Sequence, residues 1–260
     1  MKDYLDQHLK DVPYFRALLR AVEARFYEDI PLPSPTLDLG CGDGHFASLA
    51  FDRPLEVGVD PWWGPVQKAG RRAVYDLVTC AEGAHLPYPD RFFASAVSNS
   101  VLEHISNLEP VLAEMHRVLA PGASFIFCVP NQRFPEQLSI ARALERLRLA
   151  PLAAGYRNFF NRISRHHHCD SPSVWKQRLR RAGFEVEDHW DYFSPAALRV
   201  LEWGHYFGLP SWVSKILTGR WILAPADWNL ALTRRVVEPH YLQDPIHEQG
   251  AYTFYRARRS

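Results

Sequence analysis

A glycine-dense turn, L-D-L-G-C-G-D-G-H-F at residues 37–46, lies between an apolar strand pattern and the start of a helix. Gly40, Gly42 and Gly44 can adopt positive φ and let the backbone approach a ligand closely. The following helix would present free N–H groups and a positive dipole end to an anionic group. Asp60 ends the next strand pattern, V-G-V-D, where a carboxylate can accept both hydroxyls of a ribose. This combination predicts a nucleoside-containing cofactor.

From residue 36 onward, short apolar runs alternate with helical patterns, which is typical of a parallel sheet with helices on both faces. The predicted strands are Thr36–Leu39, Leu55–Val59, Ala73–Val78, Ala94–Ser98, Ser124–Val129, Phe184–Trp190 and Ala251–Ala257. The predicted helices between them are Phe46–Phe51, Trp63–Ala69, Val111–Leu119 and one that Ser171 caps, Pro172 begins and Gly183 follows.

We interpret residues 1–260 as a single domain. A chain of this length with 47% hydrophobic and 23% charged residues can bury a sizeable core, which excludes wholesale disorder. Its predicted parts are an N-terminal helical cap (1–35), a cofactor-binding core (36–130), a basic lid insertion (131–170), a helix and strand of the core (171–190), an aromatic helical insertion (191–248) and a last strand (249–260).

The cellular compartment is predicted from the chain start and the cysteines. Charged residues throughout the first dozen positions argue against a signal peptide, and no run of 18 apolar residues predicts a transmembrane helix. None of the four cysteines forms a C-x-x-C pair; they are Cys41, Cys80, Cys128 and Cys169. Reduced thiols and a cytoplasmic protein are therefore expected.

The glycine spacing distinguishes two kinds of cofactor. A dinucleotide site uses G-x-G-x-x-G, because a pyrophosphate must lie on the helix N-terminus. Here the spacing is G-x-G-x-G, with Asp38 inside the preceding strand. This arrangement resembles motif I of the class I S-adenosylmethionine-dependent methyltransferases, in which the turn holds the methionine end of the cofactor.

Later motifs extend this resemblance over residues 36–130. The stretch A-E-G-A-H-L-P-Y resembles the family's acidic residue followed by a Leu-Pro-aromatic loop, and V-S-N-S-V-L-E-H-I resembles its fourth strand and exit loop. V-L-A-E-M-H-R-V-L-A-P-G resembles the helix and Pro-Gly turn before its fifth strand. The pattern is most similar to the small-molecule branch that includes ubiquinone and menaquinone methyltransferases. Ala94 stands where that family usually has a structural Asp.

The resemblance implies a Rossmann-like α/β fold with a mostly parallel seven-stranded sheet, helices on both faces and an antiparallel last strand. Helical insertions are expected after strand five and between the last two strands. It also implies S-adenosylmethionine as cofactor and S-adenosylhomocysteine as product. The implied cofactor-binding residues are Asp38, Gly40, Cys41, Gly42, Gly44, Asp60, Pro61, Trp62, Glu82, Gly83, Asn99 and Ser100. Glu82 would accept from the adenine amino group, and the N–H of Gly83 would meet the ring.

Methyl transfer from an activated sulfonium needs mainly proximity and orientation, with a base only where the acceptor must lose a proton. His104 is the first candidate base, because the loop after strand four lies beside the reactive methyl group in the proteins that this one resembles. Packing of His104 against the cofactor is the alternative. The run R-H-H-H-C-D at residues 165–170 could supply the base instead. No metal is predicted, because zinc ligands usually come in separated pairs.

Charge is unevenly distributed along the chain. The formal net charge of the whole chain is +1, yet residues 133–181 alone carry +8. The family commonly covers its substrate pocket with the segment after strand five. An Arg-rich cover there favours an anionic substrate or surface, and a solvated basic helical face is the alternative.

Six of the eight tryptophans follow residue 170, and the 191–228 segment is rich in aromatic side chains. Ser194-Pro195 predicts the start of one helix, and residues 211–217, followed by Gly219, predict another with an apolar face. A helical cap packed on the domain would explain this segment. Peripheral membrane contact is the other interpretation, because Trp and Tyr favour the membrane–water interface.

The sequence thus predicts an enzyme that methylates a small or lipid-like, anionic acceptor. One alternative is an RNA or nucleic-acid methyltransferase, which the basic insertion favours. Residues 98–101 weaken that alternative. They read Ser-Asn-Ser-Val, whereas amino-methylating members carry an Asn/Asp-Pro-Pro-aromatic motif at this place. A second alternative is a cofactor-binding regulator without catalytic activity.

Overall fold

The computed structural model describes residues 2–260, with the side chains at positions 209 and 210 outside that description. Its strands are β1 (Thr36–Leu39), β2 (Leu55–Asp60), β3 (Tyr75–Cys80), β4 (Phe93–Asn99), β5 (Leu119–Pro130), β6 (Phe184–Tyr192) and β7 (Tyr252–Arg259). Within the described residues they form a seven-stranded sheet in the order β3-β2-β1-β4-β5-β7-β6. Strands β1 to β5 run parallel, and β7 is antiparallel to both β5 and β6. The predicted sheet is confirmed.

Helices cover both faces of this sheet, as predicted. They are α1 (Tyr4–Asp11), α2 (Tyr14–Tyr27), α3 (His45–Ala50), α4 (Trp63–Arg72), α5 (Leu108–Val118), α6 (Arg133–Glu136), α7 (Ser139–Arg146), α8 (Ala150–Ser164), α9 (Pro172–Arg181), α10 (Pro195–Phe207), α11 (Leu209–Thr218) and α12 (Asp227–Tyr241). One apolar core joins the sheet to α1–α3, α10 and α12. The other joins it to α5 and α9.

Two strand boundaries differ from the prediction for local backbone reasons. Strand β5 begins at Leu119, so the predicted Pro-Gly turn lies inside a strand. Residues 120–123 bulge out opposite Ala94, between the pairs Phe93–Leu119 and Ser95–Ser124. Strand β3 begins at Tyr75 because Ala73 ends α4 in the left-handed conformation, with φ of 53°.

The aromatic insertion divides into two parts. Helices α10 and α12 pack against α2 and bury residues such as Leu198 and Val237, as expected for a helical cap. Helix α11 instead exposes its apolar side chains, with Ile216 62% and Leu217 77% accessible. Across residues 2–260, no helix has both the length and the apolar character needed to span a bilayer.

Candidate functional site

The glycine turn follows β1 at the carboxyl edge of the sheet, and its three glycines have positive φ values of 79°, 56° and 73°. A Cβ atom on Gly40 would lie 2.4 Å from Val101, so the turn contacts the loop after β4 directly. A Cβ atom on Gly42 would meet no atom within 4 Å. The turn thus combines a close approach at its start with open space at its centre, where a ligand can meet the backbone.

Asp60 ties the turn to the end of β2. Its two carboxylate oxygens accept from the N–H groups of Gly42 at 3.1 Å and Trp62 at 3.0 Å. The N–H groups of Gly40 and Cys41 donate to the carbonyl of Val59 in the same strand. Burial raises the pKa of Asp60. Each carboxylate oxygen retains a lone pair, so the predicted ribose contact is chemically available.

Asp38 and Cys41 lie beneath the turn and are buried. The Tyr75 hydroxyl donates to Asp38 Oδ2 at 2.6 Å, and burial raises the pKa of Asp38 to about 6. Burial also raises the pKa of the Cys41 thiol. The side chains of Asp38 and Cys41 are therefore packed in the interior beneath the turn, and Cys41 contributes its backbone to the turn itself.

The remaining residues predicted to bind adenosine surround this edge. Pro61 and Glu82 are exposed, and Trp62 is 71% accessible. Gly83 is half-buried, and a Cβ atom there would lie 3.2 Å from Leu39 and from Val111. The structure thus brings the residues after β2 and β3 to the same edge as the glycine turn.

Asn99 and Ser100 end β4 and point their side chains toward a buried carboxylate on α2. Glu23 accepts hydrogen bonds from Asn99 Nδ2 at 2.6 Å and from Ser100 Oγ at 2.8 Å. It also accepts from the Tyr192 hydroxyl and from Arg20 Nη1, both at 2.9 Å. The Ser100 hydroxyl and one of the two Asn99 amide N–H groups therefore bond within the protein, and both side chains are directed toward α2.

Arg20 and Glu23 of α2 bond to the end of β4, and sequence reasoning missed both. Arg20 also donates to the Asn99 carbonyl at 3.3 Å, and its guanidinium lies 5.8 Å from the ring centre of Phe46 in α3. It therefore places a cation between the end of β4 and the helix that follows the glycine turn. One sequence signal could have revealed Glu23: it is an acidic residue at helical spacing from Leu19 and Tyr27, on a face of α2 that the pattern predicts to be buried.

His104 lies in the 3₁₀ turn Leu102–His104, directly after β4. Its Nδ1 is 2.9 Å from the Arg165 carbonyl, which can only accept, so Nδ1 carries the proton and Nε2 carries a lone pair. Burial lowers the pKa of His104. Its Nε2 is 3.8 Å from Glu103 Oε1, a carboxyl whose burial raises the pKa to about 8.

The histidine run contributes one member to this cluster. Ligand-type atoms of Glu103, His104 and His166 lie within 4.8 Å of one another. A tetrahedral zinc site with bonds of about 2.0 Å needs ligand atoms roughly 3.3 Å apart, and His104 Nε2 lies 3.8 Å from Glu103 Oε1. His168 contacts the Ile105 carbonyl through Nε2 and lies near Asp170 through Nδ1, whereas His167 is exposed.

His45 begins α3 directly after the glycine turn, and its ring is buried. The ring stacks edge-on against His8, and its Nε2 lies 3.1 Å from Asp11. Helix α1 therefore packs across the start of α3.

These features fit S-adenosylmethionine. The open position at Gly42 admits a ligand to the backbone, Asp60 retains acceptor capacity for a ribose, and Arg20 supplies a cation for a carboxylate. The three lie at one carboxyl edge of a doubly wound sheet, where such folds bind their ligands.

Comparison with known proteins also indicates a methyltransferase. A family model described as a methyltransferase domain matches residues 9–189. A Mycolicibacterium smegmatis protein named as a probable S-adenosylmethionine-dependent methyltransferase is 31% identical over 172 residues, covering 65% of this chain and 59% of the relative. A malonyl-[acyl-carrier protein] O-methyltransferase of Geobacter sulfurreducens is 30% identical over 202 residues, covering 72% of this chain and 71% of the relative.

Among solved structures, an S-adenosylmethionine-dependent methyltransferase from Thermotoga maritima superposes with a TM-score of 0.56 and 18% identity, covering 95% of this chain and 91% of its own. That structural likeness supports the fold. The family match and the sequence relatives show that the chain belongs to the class I S-adenosylmethionine-dependent methyltransferases.

Proposed function

We propose that this protein transfers a methyl group to a small-molecule or lipid-like, anionic acceptor by in-line displacement, with His104 as general base. The observation that carries the proposal is the hydrogen bond from His104 Nδ1 to the Arg165 carbonyl. It holds the ring beside β4 with Nε2 unprotonated, which is the form that can accept a proton.

We assign the cofactor contacts as follows. S-adenosylmethionine supplies an already activated methyl group when bound. The proposed contacts are the backbone of Gly40, Cys41, Gly42 and Gly44, supported by Asp38; the carboxylates of Asp60 and Glu82; Pro61, Trp62 and Gly83 around the adenine; and the backbone of Asn99 and Ser100. Arg20 joins this set, because its guanidinium can bind the methionine carboxylate.

His104 is better suited than the histidine run to act as base. Burial lowers the pKa of His166 to about 3, and the His166 imidazole is therefore a weak proton acceptor. His168 spends Nε2 on the Ile105 carbonyl. His104 keeps its Nε2 free of hydrogen bonds within the described structure and exposes 41% of its side chain.

The acceptor class is inferred from the basic and aromatic insertions. Residues 133–165, which include helices α6 to α8, follow the carboxyl end of β5 and carry seven of the ten arginines of the stretch 133–181. An anionic group such as a carboxylate would be favoured there. The Geobacter relative is named for a malonyl-carrier substrate, which supports an acceptor that contains a carboxylate and a long carrier chain.

A nucleic-acid acceptor is the second candidate, and the site disfavours base-amino methylation. Such an activity would need the Asn99 amide free to receive the amino group. In this structure Asn99 Nδ2 donates to Glu23, and Asn99 Oδ1 accepts from the Cys128 thiol. The basic insertion remains the feature in favour of nucleic acid.

The test measures S-adenosylhomocysteine released with a malonyl thioester, a demethylated isoprenoid quinol and tRNA. We expect turnover with a carboxylate or quinol acceptor, and we expect His104→Ala to lose it while still binding cofactor. His167→Ala, an exposed neighbour, is the matched control and should retain activity. Turnover with tRNA alone, or a fully active His104→Ala variant, would refute the proposal.

A further inference from the structure

A cavity of about 300 Å³ lies between the two insertions, away from the glycine turn. It is formed by α7 and the loop before it on one side, and by the start of α10 on the other. Its lining residues are Gln137, Ser139, Arg142, Arg146, Pro195 and Arg199.

The three arginines of the cavity are free of carboxylate partners within the described residues. The nearest acid on α7, Glu145, pairs with Arg157 at 2.7 Å. Three positive charges around one small cavity repel one another unless an anion lies between them. Arginine is also the side chain best suited to a phosphate oxygen, through paired N–H donors.

The cavity walls are held in place by a buried carboxylate. Glu202 of α10 accepts from the N–H groups of Ser139 and Ile140 at 2.5 and 3.1 Å, which caps the start of α7. Glu202 also accepts from the Tyr156 hydroxyl, and Trp203 Nε1 donates to Ser139 Oγ. The two arginine-bearing helices are therefore fixed relative to each other, so the cavity is a built feature.

Exposed apolar side chains follow both arginine-bearing segments of the cavity. After Arg146, Leu147 is 69% and Leu152, in α8, is 59% accessible. On α10, one and two turns beyond Arg199, Trp203 is 40% and Phe207 is 68% accessible; their rings stack, and Trp203 bonds to the lining residue Ser139. The apolar surface continues into α11 with Trp212, Val213, Ile216 and Leu217. Exposed apolar patches of this kind mark binding surfaces.

We infer that this face docks on a membrane that contains anionic phospholipid, with the lipid phosphate in the cavity of Arg142, Arg146 and Arg199. The arginines match the charge of the headgroup, and the exposed leucine and aromatic side chains match the acyl boundary beside it. A nucleic acid would satisfy the arginines but would leave Leu147, Leu152 and Phe207 against a charged backbone. The inference goes beyond the proposed methyl transfer, since lipid binding is measured without cofactor or acceptor.

The experiment is co-sedimentation of the full-length protein with vesicles of equal parts phosphatidylglycerol and phosphatidylcholine, compared with phosphatidylcholine alone. We expect binding to the anionic vesicles only. Each arginine removed should weaken partitioning about fivefold, so the triple Arg142→Gln, Arg146→Gln, Arg199→Gln variant should lose about 100-fold. Leu147→Ser should reduce the binding that persists at high salt, where charge is screened.

The matched control removes the same charge elsewhere. Lys176, Arg180 and Arg181 are exposed on α9, which packs on the opposite face of the sheet, and their triple glutamine variant should bind vesicles within about twofold of wild type. Equal loss in both triples would mean that only net charge matters. No binding to anionic vesicles would overturn the inference and leave the proposed methyl transfer untouched. Soluble glycerophosphoglycerol that binds as tightly as vesicles would assign the cavity to a free phosphate ester.

Discussion

Glu23 is the buried acceptor on which four donors from α2, the end of β4 and the end of β6 converge, and its removal provides the sharpest test of the site. Glu23→Ala leaves the donors of Arg20, Asn99, Ser100 and Tyr192 without their acceptor. Breaking a buried charged network from one side costs about 3–5 kcal/mol. We expect the free energy of unfolding of Glu23→Ala to fall by about that amount.

Glu23→Gln should be far milder because of how the donors divide between the two carboxylate oxygens. Oε1 accepts from the hydroxyls of Ser100 and Tyr192, which can turn and accept from an amide N–H. Oε2 accepts from Arg20 and Asn99, and the glutamine carbonyl can replace it. The charge is lost and two hydrogen bonds reverse direction, but every partner of Glu23 keeps a hydrogen bond to the side chain, so we expect a decrease of about 1–2 kcal/mol.

Urea unfolding followed by tryptophan fluorescence measures both variants. Glu28→Ala, exposed just beyond the end of α2, is the control and should stay within about 0.5 kcal/mol of wild type. Glutamine and alanine variants that lose equal stability would refute the assignment, because the matching of donors and acceptors would then not be what holds α2 against β4.

The other predictions concern the turn and the cluster after β4. Gly42→Ala should cost about 1–2 kcal/mol of stability in thermal melts, because its φ is positive, and should impair cofactor binding; Gly40→Ala should cost about 1–3 kcal/mol more, because its Cβ atom also has no room. Asp60→Ala should weaken cofactor binding about tenfold or more by calorimetry, and unchanged affinity would contradict the site. His104→Ala should slow turnover about 100- to 10,000-fold, and the acid limb of kcat/KM in wild type should lie below pH 6.5, because burial lowers the pKa of that imidazole. Glu103 has its pKa raised from 4.5 to about 8, so the folded state holds the proton more tightly and stability should fall as pH rises between those values; Glu103→Gln should abolish that slope in denaturant titrations.

The fold could be predicted largely because the strands alternate with helices and are punctuated by glycine and proline. Ser171 caps α9 and Ser194 caps α10 through the hydrogen bonds that their positions predicted. Helix α12 was not predicted, although Leu230, Val237 and Tyr241 have helical spacing and are buried, because aromatic residues dominated the interpretation of that insertion.

The site was predicted only as far as local motifs extend. The glycine turn and Asp60 are close in sequence and appear together in the structure. Glu23 lies 169 residues from Tyr192, so no local pattern could pair them. The direction of the Asn99 side chain likewise follows from tertiary packing against α2, which a motif in β4 does not encode.

Helix α2 carries two charged side chains, Arg20 and Glu23, that bond to the end of β4. If Arg20 binds the cofactor as proposed, cofactor binding and docking of this helix are thermodynamically linked, and each strengthens the other by the same factor. A bound cofactor should slow amide exchange in residues 14–27 more than in α9 on the far face. On the same argument, we expect product release to accompany local undocking of the N-terminal segment while the sheet stays intact.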